Sequence, residues 1–183
     1  MDITIREART SDAEAIAEIG KVAWLAAYVD PKTGITSRDV LSRNFDTPER
    51  LDKLRERLRK DNEEHGPGGR TWVADMDGEV VGFVTALKME ASLPEGQGKQ
   101  VKAIYILPCY QGQKIGHRLM EQALSWLGSG EIYANVGHAD GKSSDFFKEF
   151  GFAPTGETKE VAFSTGKAMA AVVMKRPAAA GSL

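Results

Sequence analysis

The chain has 183 residues, 42% of them hydrophobic, which is enough for one domain with a substantial core and short for two. Lys and Arg number 24 against 26 Asp and Glu, so no basic surplus argues for a nucleic-acid groove and the partner to expect is a small molecule. The single cysteine, Cys109, excludes an intramolecular disulfide, and no run approaches the ~18 apolar residues of a membrane span.

In chain order, "MDITIREART" lacks the basic start and apolar run of a secretion signal, which points to a cytoplasmic protein. Residues 3–8, "ITIREA", alternate at period two as a half-buried strand does. The period then changes. Ser11 and Glu14 have capping-box spacing, and Ile16, Ile19, Ala23 and Ala27 share one face of the helix expected to follow. After "VDPKTG" a second helix is expected from about Thr36 to Phe45. A third begins at Pro48, with Thr47 as its cap and Leu51, Leu54 and Leu58 on one side. "HGPGG" stops it.

The middle of the chain reads as β structure. "RTWVADM" and "EVVGFVTALKM" flank Asp77-Gly78, a pair suited to a tight hairpin turn. "EASLPEGQGK" has loop composition, and "QVKAIYIL" is a largely apolar strand ending at Pro108. Glycine and amide residues follow, and then Leu119, Met120, Ala123, Leu124 and Leu127 make a helical stripe closed by "GSG". "EIYANV" is a short strand, "SSDFFKEF" a short helix closed by Gly151, and "EVAFS" and "AMAAVVMK" flank "TGK" as a terminal hairpin. One domain over residues 1–176 is expected, with residues 177–183, "PAAAGSL", as a fraying tail.

The stretch "PCYQGQKIGHRLM" carries the chemistry. Glycines let a backbone approach a ligand closely, and the first N–H groups of a helix lack internal partners and sit at the positive end of its dipole. Such a strand-loop-helix junction suits a pyrophosphate, though it also serves as a plain tight connection. "VGHADGKSS" imitates a nucleotide-binding P-loop, but only three residues separate Gly137 from Gly141 where that motif needs four.

"IYILPCYQGQKIG" resembles the acyl-CoA signature of the GNAT superfamily of N-acetyltransferases, Q/R-x-x-G-x-G/A after an aromatic-aliphatic strand and a proline. Gln111 and Gly116 match it, while Lys114 stands where a glycine is usual. "FFKEFGF", residues 146–152, resembles the family's F-Y-x-x-x-G-F segment. The resemblance implies a mixed α/β fold, with a mostly antiparallel sheet of roughly six to seven strands and about four to five flanking helices. It implies that "AIYIL" and "EIYANV" splay apart around acetyl-CoA. Backbone groups of Ile104, Tyr105 and Ile106 would then pair with pantetheine. N–H groups of Gln111, Gly112, Gln113, Lys114, Ile115, Gly116 and His117 would hold pyrophosphate, Asn135 would end the second splayed strand, Asp140 and Lys142 would sit in the loop beyond it, and Phe146 and Phe147 would pack near the cofactor tail. The implied reaction is direct attack of a primary amine on the thioester.

Two departures from the pattern matter. Phe147 replaces the tyrosine that protonates the thiolate in many members, and Gln100, Lys102 and Ala103 offer no carboxylate base. Either the thiolate needs little assistance, or Tyr105, His138 or Cys109 substitutes, or the protein binds acyl-CoA as a sensor without transfer. Tyr105 also suits a packing role, and His138 a plain polar loop. For the acceptor, Trp24 and Tyr28 lie one helical turn apart as an aromatic wall beside Asp30, which would suit a polyamine-like amine. An aminoglycoside, a peptide N-terminus and a lysine remain open as acceptors. His65, His117 and His138 form no recognisable metal set, so no metal is expected. The apolar "MAAVVM" would serve a homodimer edge or a buried strand equally well.

Overall fold

The computed structural model describes residues 2–63, 68–88, 98–137 and 141–178. His65, His138, Asp140, most of the "EASLPEGQGK" loop and most of the tail lie outside them. The strands are β1 (Ile3–Glu7), β2 (Gly69–Met76), β3 (Glu79–Lys88), β4 (Lys99–Ile106), β5 (Ile132–Gly137), β6 (Ala153–Ala162) and β7 (Ala168–Arg176). The helices are α1 (Ala13–Tyr28), α2 (Ser37–Leu41), α3 (Pro48–Glu63), α4 (Ile115–Leu127) and α5 (Lys142–Glu149). The strands form one mixed sheet in the order β1-β2-β3-β4-β5-β7-β6, antiparallel except for the β4–β5 pair. The fold is therefore mixed α/β.

Local chemistry explains most of the boundaries. Asp77 and Gly78 both take positive φ and turn β2 directly into β3, pairing Met76 with Glu79. Thr47 Oγ1 accepts the Arg50 N–H at 3.4 Å, and Pro48 opens α3 as its spacing predicts. The Ser11–Glu14 capping box does not form. Thr10–Asp12 is a single 3-10 turn in which the Asp12 carboxylate accepts the Arg9 N–H at 2.6 Å and the Arg6 guanidinium at 2.8 and 3.0 Å. Glu14 instead pairs with Arg55 of α3. Charge-assisted bonds to arginine outcompete a neutral serine cap. The second helix stops at Leu41, because Thr36 and Asp39 close a tight capping box at its start and Ser42 takes the Asp39 carbonyl at 2.6 Å.

Two register shifts decide which side chains face which layer. At β3, Asp75 pairs with Val80 and Ala74 with Gly82, leaving Val81 as the extra residue. At β4, Ala103 pairs with Thr85 and Val101 with Ala86, leaving Lys102 unpaired. Each bulge advances the period-two alternation by one position. Val101, Ile104 and Ile106 thus join Val81, Val84 and Ala86 against α4, in a layer with Leu119, Met120, Ala123 and Leu127. Ala103, Tyr105 and Leu107 turn to the opposite layer, with Val80, Phe83 and the α1 residues Ile16 and Ile19. An unbroken alternation would have put Val101 and Tyr105 on the same side.

A third cluster joins the end of α1 to α2 and to the β6–β7 hairpin through Trp24, Tyr28, Val40, Phe45 and Phe163. Asp39 clamps this corner. Its buried carboxylate accepts the Thr36 N–H at 2.7 Å, Thr36 Oγ1 at 2.6 Å, Thr165 Oγ1 at 2.6 Å and Lys167 Nζ at 3.1 Å. Thr165 first, then Thr36, hold it well below the usual carboxylate range. A carboxylate depressed on folding contributes stability that is fully present above its unfolded pKa, about 3.9, and lost as pH falls through the folded value. Asp39→Asn is thus expected to lower the Tm at pH 7, with the gap to the parent closing towards pH 2. Thermal melts across that range check it, and a constant gap would mean the charge is not what matters.

β7 lies between β5 and β6, so the "MAAVVM" segment is interior to the sheet and offers no free edge. No helix of the described residues is long and apolar enough to cross a membrane.

Candidate active site

β4 and β5 pair only at Gln100 and Tyr133, near the start of both strands. Beyond that point they diverge, and the polar edge of β4 from Val101 onward meets no backbone partner on β5. The gap opens into a cavity of about 360 Å³, within the ordinary range for small-molecule sites. Ile104, Tyr105 and Ile106 of β4 form its floor, Gln111, Gly112, Lys114, Ile115, Gly116 and His117 its rim, and Lys142, Phe146 and Phe147 of α5 one wall. Ala23, Ala27 and Tyr28 of α1 close the opposite side.

The rim is built by its backbone. Gly112 has φ 80°, and a Cβ there would meet nothing within 4 Å, so the loop is open to a ligand at that point. Lys114 caps α4 in the left-handed region at φ 60°, an uncommon place for a lysine. Gly116 lets α4 approach its neighbours, since a Cβ would stand 3.2 Å from Ile106 Cδ1 and 3.4 Å from the Phe146 ring. His117 packs edge-on against Phe146, with 5.5 Å between centroids, and its Nε2 lies 2.7 Å from Glu149 Oε2.

Tyr105 sits where the cavity meets α1. Its hydroxyl accepts the Trp24 Nε1–H at 2.9 Å, and burial raises its pKa above the ordinary tyrosine value. With one lone pair occupied by the indole, the hydroxyl keeps its own proton to donate, and the residue lines the cavity. Tyr28 packs edge-on against Trp24 at 4.8 Å and lies over Gly137, the last residue of β5.

The remaining predicted residues among those described are not in the cavity wall. Trp24 stands behind Tyr28 in the third cluster. Asp30 is engaged in its own turn, its Oδ1 accepting the Lys32 N–H at 2.9 Å and its backbone bridging Ile35. Gln113 is exposed and outside the lining. Asn135 does not end β5. It is exposed in mid-strand opposite Val173, because pairing with β7 carries the strand on to Gly137. Ser143, which the sequence placed beside Lys142 within reach of the cofactor, lines the cavity; the wall residues Ala23, Ala27 and Tyr110 were not assigned to the site from the sequence, although the small side chains of Ala23 and Ala27 on one helix face were the available signal. Cys109 is exposed beside the rim.

The acetyltransferase (GNAT) family model matches residues 38–152. The chain belongs to this family. As a GNAT protein it is an acyltransferase that draws its acyl group from acetyl-CoA. No curated protein matches the sequence. Among solved structures, it is similar to the PaiA N-acetyltransferase of Thermoplasma acidophilum in complex with coenzyme A, at 17% identity and TM-score 0.74, covering 97% of this chain and 99% of that one. It is also similar to yncA of Salmonella typhimurium, solved with its cofactor acetyl-CoA, at 22% identity and TM-score 0.66 over 100% and 98% of the two chains. A third is a GNAT acetyltransferase from Streptococcus pneumoniae, at 19% identity and TM-score 0.67 over 96% and 99%. At these identities the likeness to solved structures is one of fold.

Proposed function

We propose that this GNAT protein transfers acetyl from acetyl-CoA directly to the primary amine of a small molecule, with Tyr105 as the proton donor. The observation that carries the reading is the unpaired β4 edge beside Tyr105, opening into a cavity whose far rim is the start of α4. The site suits the cofactor on its own geometry. An extended backbone edge without a β5 partner matches a chain of amides, the apolar side chains of Ile104, Ile106, Phe146 and Phe147 match methylenes, and the α4 terminus matches a pyrophosphate. When bound, acetyl-CoA supplies an acetyl group already activated as a thioester.

The protein's own part is positioning and proton handling. The β4 edge fixes the carbonyl, and the Tyr28 side of the cavity admits the amine in its neutral form. As the new C–N bond formed and the C–S bond broke, the amine proton would leave to water, and the Tyr105 hydroxyl would protonate the departing sulfur and regain its proton from water. Burial keeps the group protonated throughout the neutral range, so the proton is in place when the sulfur departs. Phe147, the position of the absent family tyrosine, is buried against Phe152 with 5.2 Å between centroids and has only apolar surface to offer.

The direct test is coenzyme A release from acetyl-CoA with a panel of small amines, followed by the mass of the product. Acceptor-dependent release with an N-acetylated product is expected. Tight acetyl-CoA binding without release for any amine would overturn the reading in favour of a sensor.

Lys114→Gly separates two contributions at the rim. Removing a left-handed lysine relieves strain worth about 1 kcal/mol, so the Tm should rise. Losing an ammonium next to phosphate should weaken coenzyme A binding severalfold, most clearly at low salt. Calorimetric titration alongside thermal melts reads both, and unchanged affinity would remove Lys114 from the cofactor site.

A further inference from the structure

Behind the aromatic end of the cavity stands Arg43, just beyond α2. Its guanidinium lies 4.2 Å from the centroid of the Trp24 ring, the same indole whose N–H is held by Tyr105. The charge is felt at both Tyr105 and Tyr28, the two hydroxyl-bearing residues of the cavity on this side. Arg43 is half-buried, and loss of water weakens its hold on the proton. Despite that, its guanidinium makes no hydrogen bond or ion pair with any described residue. Arg50 adds a second positive charge to its surroundings. The acids on the flanking segments are committed elsewhere: Asp46 binds Lys21 at 2.7 Å, Asp39 is consumed by Thr36, Thr165 and Lys167, and Asp30 is held in its own turn.

This arrangement is the reverse of what a polycation would need. A partly desolvated guanidinium is a costly group to leave without an anion, and its planar fork of donors matches a carboxylate in two parallel bonds. The contact with the Trp24 ring holds the guanidinium beside the indole that Tyr105 binds. Resting on the N-acetyl transfer proposed above, we infer that the acceptor is an amine that also carries a carboxylate, an amino acid or close relative. Its carboxylate is held by Arg43, and its amine is directed between Tyr28 and Tyr105 towards the thioester.

The test compares each of several α-amino acids with its own carboxamide and with the amine lacking the carboxyl carbon, reading coenzyme A release at saturating acetyl-CoA. The wild-type protein is expected to favour the acid over the amide by tenfold or more in kcat/KM, the scale of a charge-assisted pair. In Arg43→Gln the ratio should collapse towards one, mostly through KM of the acid. Arg43→Lys should keep part of the preference, because it retains the charge and loses the fork. Thermal melts of both variants guard against a folding defect, and Arg43→Lys keeps the test usable if Arg43→Gln melts early. A preference for diamines or amides over acids, or an acid preference that survives Arg43→Gln, would overturn the inference while leaving the transferase intact. Absence of release with every amine would overturn the transferase reading as well.

Discussion

Replacing Gly137 with alanine is expected to cut kcat/KM on the order of 100-fold in a protein that still folds, the scale of a misplaced substrate-side group. A Cβ on Gly137 would stand 2.3 Å from Tyr28 Oη, 2.5 Å from its Cε1 and 2.6 Å from its Cζ, distances that no relaxed structure tolerates. The backbone of Gly137 is not in the left-handed region, so alanine itself is unstrained there and the whole effect passes through the tyrosine. Tyr28 has little room to slide, with Trp24 edge-on at 4.8 Å. β5 cannot retreat freely either, since six of its residues from Ile132 to Gly137 pair with β7. The ring therefore leaves the cavity wall, at an overpacking cost of about 1–3 kcal/mol. A double-mutant cycle isolates this. Gly137→Ala and Tyr28→Ala should each lower stability, and the combination should lose about 1 kcal/mol or more less than their sum, because alanine at 28 vacates the contested space. Additive losses, or full activity in Gly137→Ala, would show that the contact does not shape the site.

Tyr105→Phe should lower kcat on the order of 100-fold, within the roughly 10²- to 10⁴-fold range for losing a general acid, while coenzyme A affinity stays close to that of the parent. The hydroxyl has two duties that the experiment must separate. Besides donating, it accepts the Trp24 Nε1–H, and orphaning that donor costs about 1–3 kcal/mol of stability. Trp24→Phe breaks the same hydrogen bond but leaves the hydroxyl in place, so it should lose stability with less than tenfold loss in kcat. The pH profile gives an independent reading. Because burial raises the Tyr105 pKa above 10.0, wild-type kcat should hold level through neutrality and fall only in the strongly alkaline range, and the variant should lack that descent. Equal kcat losses in the two variants would make Tyr105 a packing residue and return the acid role to solvent.

The elements that could be read from the sequence are those whose signals are local. Asp77-Gly78, Thr47-Pro48, the glycine-rich rim and the stripe from Leu119 to Leu127 each draw their structure from neighbours a few residues away, and each forms as its chemistry predicts. What could not be read depends on pairings distant in the chain. Asp12 displaced the Ser11 cap because Arg6 reaches it, and the bulges at Val81 and Lys102 appear only when neighbouring strands are laid side by side. Much of the expected cofactor cluster comes together, since Ile104 to Ile106, the rim and Phe146 belong to consecutive elements. The acceptor side proved harder. Tyr28 meets Gly137 and Arg43 meets Trp24 through tertiary packing alone, so Asp30 looked more relevant in the sequence than it is in space.

The place of β7 between β5 and β6 has a consequence for how the molecule is made. β1 through β4 are laid down as a largely antiparallel succession, with β2, β3 and β4 each pairing with the strand before it. β5 has only one paired position on β4, and its full ladder is supplied by residues 171–176. During synthesis the cavity-bearing half of the sheet must therefore wait until β7 has left the ribosome, with β5 and β6 held unpaired in the meantime. The gap beside β4 is left open by the same loose pairing, so the order of assembly and the opening of the cavity share one cause.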